Sequence, residues 1–373
     1  MADKEFDPPG RGSLFPPASL PALVGTRATP TTYAASGVDR SAITRALSEL
    51  LGAVRYRAPP SHGRPVGAPG HYAGMIRIGR ETIAVTTDTV GTKVLLAEEL
   101  GRWEEVGEDI VGVNVNDLAS VGARTAGLVD TILCGQPDPA VLRAVGKGLD
   151  RGLRRARCSL LGGETAVVPS IVQGTDLGAT AFGFFPRGRA PVTGQRIRPG
   201  DVILGVPSSG LHANGFTLVR RVLRESNVDL EQPRPGARTP LGEELLAPTR
   251  IYTEVSEALA GRPETHGFAH LSGGGVRNLV RLHRGVAFVL EAWPDPPPLF
   301  PWLSDLGSVA PVEMFQTFNM GIGFAIVVGR SHLSETRRRL ARAGAPDAVP
   351  IGRVERGSGV RLPGLGLEYA GYS

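Results

Sequence analysis

The residues best suited to chemistry lie in the stretch Thr86 to Lys93, where an alternating run ends on an acid and a glycine turn leads to a lysine. Ile83 to Thr87 alternates like a β-strand, so Asp88 should end that strand and Lys93 should open the next helix. A strand-end carboxylate can bind Mg²⁺, while backbone amides and an ammonium can face phosphate. The pattern predicts either Asp88 on Mg²⁺ with Lys93 on phosphate charge, or a plain strand-turn-helix corner with a surface lysine.

Three further acids stand at similar positions. Asp117 lies three residues after Asn114 on a predicted helix, where both share a face with apolar residues. Polar groups on such a face need a partner, which is either a metal-phosphate ligand or a hydrogen bond within the protein. Asp130 interrupts an apolar strand, and Glu164 follows paired glycines that let backbone approach a ligand. We therefore expect one Mg²⁺-nucleotide site built by the four acids Asp88, Asp117, Asp130 and Glu164.

Two loops rich in glycine and serine precede predicted helices and could wrap a phosphate. One runs from Ser208 to Gly215 and contains His212 and Asn214; the other runs from His270 to Gly275. Their amides form anion-binding turns, and a histidine in each could donate a hydrogen bond or carry a proton. His71 and Tyr72, in a third loop, either line a ligand pocket or anchor a packed loop. Each histidine thus has both a functional and a structural interpretation.

The elements that hold these residues form two domains by their pattern, as the length of 373 residues also suggests. Strands alternate with amphipathic helices, and the strand pattern restarts near residue 174. We predict a Pro-rich disordered leader over 1–32, a Mg²⁺-nucleotide-binding α/β domain over 33–174, and an α+β domain over 175–373.

Composition excludes several classes of protein. No apolar run reaches membrane-spanning length. The net charge of +5 comes from scattered arginines without interleaved aromatics, which disfavours nucleic-acid binding. The two cysteines, Cys134 and Cys158, fit neither a disulfide framework nor a metal site, so a reducing cytoplasm is expected.

Taken together, the loops resemble the phosphoribosylformylglycinamidine cyclo-ligase (aminoimidazole ribonucleotide synthetase) family, from Tyr33 to near the C-terminus. No single motif is specific, but their order and spacing are. The matching segments are Gly37 to Asp39, Gly70 to Gly74, Asp88 to Lys93, Val115 to Leu118, Gly162 to Thr165, Ser208 to Gly215, Leu246 to Tyr252, His270 to Gly275 and Met314 to Gly323.

The resemblance implies an α/β domain whose sheet pairs with its twin in a homodimer, an α+β domain, and ATP held between them. It also implies a ribonucleotide substrate whose amide oxygen is phosphorylated by ATP before ring closure. We assign proton transfer to His270 ahead of His212 and His71, and phosphate charge to Lys93. Nucleotide binding is assigned to Asn116, Thr165, His71, Asn214, Gly273, Gly274 and Gly275, and Mg²⁺ to the four acids.

Two positions depart from the family pattern, which usually has lysine where this chain has Ala34 and glycine where it has Thr89. Thr89 would add a side chain within the turn expected to face phosphate. Two alternatives therefore stay open. One is a paralogous amide-activating cyclase of specialised metabolism, and the other is a non-catalytic nucleotide-binding subunit.

Overall fold

Two β-sheets with flanking helices organise the chain in a computed structural model that describes residues 31–67 and 70–371. The expected combination of an α/β unit and an α+β unit is confirmed. The predicted leader over 1–32 lies outside the described residues except for Thr31 and Thr32.

The first sheet has six strands in the order β1-β2-β3-β6-β4-β5. Their bounds are β1 Arg64–Val66, β2 Gly74–Ile78, β3 Glu81–Thr89, β4 Arg124–Cys134, β5 Ser159–Val167 and β6 Thr175–Phe184. Only β4 and β5 pair in parallel; the other neighbours are antiparallel. On β3, Ala84 and Thr86 are buried whereas Val85 and Thr87 are exposed, so one face of the sheet is covered and the outer face is open.

The position of β6 corrects the predicted domain boundary. This strand pairs with β3 on one side and with β4 on the other, at the centre of the first sheet. A boundary between residues 174 and 175 would assign β6 to the second domain and so remove the central strand from the first sheet. That boundary is predicted from the point at which the strand pattern restarts along the chain. The division lies instead after Phe184, in the connection between β6 and the second sheet.

Helix α1 Arg40–Ala53 has no buried residue. Helix α3 Glu104–Ser120 covers one face of the first sheet, and α2 Lys93–Glu99 and α4 Pro139–Ala156 pack against α3. Asp39 caps α1 by accepting from the backbone N–H groups of Ser41 and Ala42. α3 packs on β3 and β6, and α4 packs on α3. A side chain at Gly148 would collide with the carbonyl of Glu104, so these two helices approach closely only because α4 has glycine there.

The second sheet has seven strands in the order β13-β12-β9-β11-β7-β10-β8. The bounds are β7 Val202–Pro207, β8 Thr265–His270, β9 Val286–Val289, β10 Ile322–Val328, β11 Val349–Arg356, β12 Gly359–Leu362 and β13 Leu367–Tyr369. Every residue of β8 and β10 is buried.

Six helices accompany the second sheet, and one edge of this unit meets the first. The helices are α5 Phe216–Glu225, α6 Leu241–Leu246, α7 Thr253–Leu259, α8 Leu299–Gly307, α9 Pro311–Thr317 and α10 Leu333–Arg342. α3 packs against β8 and α7, which makes the seam between the two units. Across residues 31–67 and 70–371, no helix has the length and hydropathy needed to cross a membrane.

Candidate active site

The end of β3 and the last turn of α3 bring two acids to the seam. Asp88 follows Ala84 and Thr86 on the covered face of the first sheet, where α3 carries Asp117. Burial among protein groups and the neighbouring Asp117 raise the pKa of Asp88 to about 6, although solvent still reaches part of its side chain. Two carboxylates this close repel each other unless a proton or a cation lies between them.

Asp117 also orients a histidine from the second unit. The Nδ1 atom of His270 lies 3.0 Å from Asp117 Oδ1, and the backbone N–H of His270 donates to the hydroxyl of Ser120. With Nδ1–H donated to the carboxylate, the lone pair belongs to Nε2, which is buried and has no hydrogen-bond partner. His270 therefore presents an oriented acceptor atom at the seam.

His71 is brought to the same seam. Both of its ring nitrogens are buried without a partner, and its ring meets that of Tyr72 edge-on at a centroid distance of 5.6 Å. Burial, with the nearby Arg281, lowers the pKa of His71 to about 4, while Asp117 acts in the opposite direction. His71 is consequently neutral at physiological pH and can only exchange hydrogen bonds.

His212 lies beside His270, with ring centroids 6.3 Å apart. It is 1% exposed and has a positive φ of 63°, a strained conformation for a residue with a side chain. Burial lowers the pKa of His212 well below its usual value, and electrostatic interactions with His270, Lys93 and Arg250 act in the same direction. Its Nε2 accepts from the backbone N–H of Ser209, which leaves Nδ1 without a partner.

The glycine loop predicted between His270 and Gly275 reaches the loop that carries Asn214. A Cβ atom at Gly273 would lie 2.8 Å from Asn214 Oδ1, so the two loops touch. Gly275 has φ of 54°, and a side chain there would collide with the carbonyl of Phe315. Among the described residues, the backbone N–H groups of Gly273 and Gly274 have no acceptor. These two N–H groups are therefore free to donate to a ligand, and anion binding by this loop stays a prediction.

The register of the first sheet decides where the other two acids lie. Asp88 and Asp130 both pair with Ala179, so they share the covered face, about 10 Å apart across two strand spacings. Burial raises the pKa of Asp130. Glu164 pairs with Thr131, which puts it on the outer face. Within one chain the structure does not bring Glu164 to the other acids, which corrects its assignment to a shared Mg²⁺.

Two threonines also differ from expectation. Thr165 pairs with Ile132 on the covered face but is exposed, and no contact joins it to the seam. Thr89 pairs with Gly178 and projects from the outer face, where its methyl group would be 3.5 Å from a Cβ atom at that glycine. The side chain of Thr89 therefore does not crowd the covered face.

Lys93 is not available to a phosphate. It is 0% exposed, its Nζ lies 2.6 Å from Asp109 Oδ2, and it donates to the carbonyl of Ala247 at 3.0 Å. The other oxygen of Asp109 accepts from the backbone N–H of Thr249 at 2.8 Å. The assignment of Lys93 to phosphate charge is corrected to a buried ion pair, and the alternative of a surface lysine is also wrong.

Asn116 is likewise structural in this arrangement. Its amide donates to the carbonyl of Arg250 at 2.8 Å and its oxygen accepts from the backbone N–H of Tyr252 at 2.9 Å. With both functions satisfied in a fully buried side chain, Asn116 joins α3 to the second unit. Its assignment to nucleotide binding is corrected accordingly.

Sequence reasoning missed two residues of the seam. Ser120 holds the backbone of His270, and its place three residues after Asp117 on one helix face could have indicated it. Arg281 lies over the ring of Tyr72 at 4.4 Å and donates to the carbonyls of Gly70 and His71. Nothing in the sequence links Arg281 to residues 210 positions away.

Comparisons with known proteins agree with the two-unit architecture. Residues 70–185 match the N-terminal domain of AIR synthase related protein, and residues 198–363 match its C-terminal domain. Phosphoribosylformylglycinamidine cyclo-ligase of Methanothermobacter thermautotrophicus is 40% identical, covering 89% of this chain and 96% of the relative. The cyclo-ligase of Methanosarcina barkeri is also 40% identical, covering 90% and 98%.

A solved structure shares the fold at lower identity. AaThiL complexed with AMPPCP and TMP matches with a TM-score of 0.61 and 16% identity, over 89% of this chain and 96% of that one. At this identity the likeness shows the fold alone.

Proposed function

This chain belongs to the phosphoribosylformylglycinamidine cyclo-ligase family of AIR synthase related proteins, and we propose that it closes the imidazole ring of aminoimidazole ribonucleotide in purine biosynthesis. The substrate is formylglycinamidine ribonucleotide, and ATP is converted to ADP and phosphate. The observation that carries the proposal is 40% identity over 89% of the chain to a cyclo-ligase of the same length range.

The chemistry explains why the seam needs both cations and a base. The amide oxygen of the substrate attacks the γ-phosphorus of ATP, and the bond to ADP breaks. A neighbouring nitrogen then attacks the activated carbon, the carbon–oxygen bond breaks, and phosphate leaves with that oxygen. The attacking nitrogen loses a proton in this step, so an acceptor must lie close to it.

Asp88 and Asp117 fit a divalent cation. Carboxylate oxygens are the ligands that Mg²⁺ prefers. Burial, and after it the neighbouring Asp117, raises the pKa of Asp88, and a bound cation would offset both effects. In the described part of the chain no three acidic, His or Cys side chains form a complete metal cage. This suits Mg²⁺, which usually takes one or two carboxylates and completes its shell with phosphates and water. When bound, Mg²⁺ would neutralise charge on the transferring phosphoryl group.

The remaining roles follow from hydrogen-bonding capacity. The unpaired N–H groups of Gly273 and Gly274 would donate to phosphate oxygens of ATP, with Asn214 beside them. His270, oriented by Asp117, would accept the proton of the attacking nitrogen at Nε2. His71 and His212, both neutral, would hold the substrate by hydrogen bonds rather than by charge.

Assembly and location complete the proposal. We expect a homodimer joined through the outer face of the first sheet, which carries exposed apolar side chains. We also expect a cytoplasmic enzyme, since both cysteines of the described chain are free thiols.

The test measures ADP release by the purified protein with and without formylglycinamidine ribonucleotide. We expect turnover that depends on this substrate and yields aminoimidazole ribonucleotide. ATP hydrolysis that ignores the substrate would indicate a paralogous cyclase, and no nucleotide binding would indicate a non-catalytic subunit.

A matched pair of variants locates the reaction within the same assay. His270→Gln should lose about 10²- to 10⁴-fold in kcat, the usual contribution of a positioned base. His62→Gln replaces an exposed histidine whose ring contacts only Ser61, and it should leave kcat unchanged. Equal rates for the two variants would remove His270 from the mechanism.

A further inference from the structure

Arg40, the first residue of α1, reaches across to the second unit and holds the glycine loop. Its guanidinium donates to the carbonyl of Gly273 at 2.5 Å and to the carbonyl of Gln316 at 2.6 Å. The guanidinium carbon also lies 5.1 Å from the centre of the Tyr33 ring. One side chain therefore connects α1, the glycine loop and the end of α9.

The bond to Gly273 has a directional consequence for the loop. The carbonyl of Gly273 and the N–H of Gly274 belong to one planar peptide, and in a trans peptide they point in opposite directions. No cis peptide occurs among the described residues. Because Arg40 holds the carbonyl, the N–H of Gly274 is directed away from the guanidinium, and it is one of the two loop amides without an acceptor.

The second acceptor of Arg40, the carbonyl of Gln316, belongs to a residue that is itself held by hydrogen bonds. Gln316 belongs to α9, where its side chain donates to Glu313 Oε2 at 2.6 Å. The other oxygen of Glu313 accepts from the backbone N–H of Tyr33 at 3.0 Å, and Glu313 is 9% exposed. α9 and the segment before α1 thus hold Arg40 from both sides. A planar guanidinium can bridge two carbonyls at once, which a lysine ammonium does with less geometric control.

We propose that Arg40 is a positioning residue for ATP, which sets the orientation of the Gly273–Gly274 peptide so that its amide faces phosphate. The inference rests on the proposed role of this loop in binding ATP. Arg40 itself does not touch the reacting atoms. It acts through the peptide, so its removal should weaken phosphate binding more than ribonucleotide binding.

The test compares Arg40→Ala, Arg40→Lys and the control Arg45→Ala, which lies on the same helix, is exposed and bonds only Ser41. Arg40→Ala should weaken Mg²⁺-ATP binding about tenfold or more, as expected for hydrogen bonds to a charged group. The KM for formylglycinamidine ribonucleotide should stay unchanged. Arg40→Lys should be intermediate, and millimolar guanidinium should restore part of the ATP affinity of Arg40→Ala.

α1 has no buried residue, so these variants should fold, and circular dichroism checks this. Unchanged ATP affinity in Arg40→Ala and Arg40→Lys, in a protein that turns over ATP normally, would overturn the inference and leave the proposed function intact. An equal loss of ATP and ribonucleotide binding with a lowered melting temperature would also overturn it. A wild-type protein that binds no ATP would instead defeat the proposed function.

Discussion

Asp88 and His71 both face the carboxylate of Asp117, and the protein shifts the two pKa values in opposite directions. The pKa of Asp88 rises from 3.8 to about 6, and that of His71 falls from 6.5 to about 4. In both cases burial disfavours the charged form. At pH 7 Asp88 is therefore mostly ionised and His71 is neutral, which is the state of these two side chains that a divalent cation with ATP requires.

These shifts predict how stability depends on pH. As pH falls from 6.5 to 4, the unfolded chain protonates His71 while the folded chain does not, so His71 makes the protein less stable in acid. As pH falls from 6 to 3.8, the folded chain protonates Asp88 first, so Asp88 makes it more stable. Where the two pH ranges overlap, the contributions of His71 and Asp88 to the pH dependence of the unfolding free energy have opposite signs.

Single substitutions should separate the contributions of His71 and Asp88 to the pH dependence of stability. His71→Leu should lessen the acid-induced loss of unfolding free energy, by about 3 kcal/mol at most near pH 4. Asp88→Asn should steepen that loss below pH 6 and raise stability at pH 7. Urea unfolding of both variants and of the control His62→Gln, from pH 4 to 7, measures this. Parallel curves for all variants would show that neither group is perturbed.

At the scale of the elements, the Lys93–Asp109 pair joins α2 to α3 and, through the carbonyl of Ala247, to the second unit. Both side chains are fully buried, so removing one partner leaves an uncompensated charge. Lys93→Ala should cost about 3–5 kcal/mol of unfolding free energy. Denaturant unfolding measures it, and nucleotide affinity per folded molecule should be retained.

Two further variants make this prediction specific. Lys147→Ala removes an exposed lysine paired with Glu104 and should change stability by less than about 1 kcal/mol. Lys93→Met with Asp109→Asn removes both buried charges and should recover part of the loss. A stable Lys93→Ala protein with weakened ATP binding would restore the phosphate role that its position in the sequence suggests.

The same pair shows what local patterns can predict. The strand ending at Asp88, the helix bearing Asp117 and the glycine loop after His270 follow from periodicity and turn residues, and the structure places them at one seam. The partner of Lys93 does not follow, because Asp109 is sixteen positions away on another helix. Strand order is also nonlocal. The predicted domain boundary at 174 was wrong because β6, which follows it in the chain, lies between β3 and β4 in the first sheet.

At the scale of the molecule, the outer face of the first sheet is an exposed apolar surface. Val85, Val129, Leu161 and Phe184 project from it with 40%, 37%, 57% and 40% of their surface exposed. They come from four adjacent strands and so form one apolar surface. Monomeric proteins rarely expose such a patch, and Glu164 lies on the same face. A second copy of the chain is the partner that the family resemblance implies.

This assembly yields a prediction that can be checked without substrate. Wild-type protein should elute at twice the 39.3 kDa chain mass in size-exclusion chromatography with light scattering. Val129→Arg, which puts a charge in the centre of the apolar surface, should shift it to the monomer because burying an unpaired charge is unfavourable. Val312→Arg, on α9 at 43% exposure, controls for the added charge and should remain dimeric. A 39.3 kDa wild-type species, or a dimeric Val129→Arg, would place the interface elsewhere or exclude it.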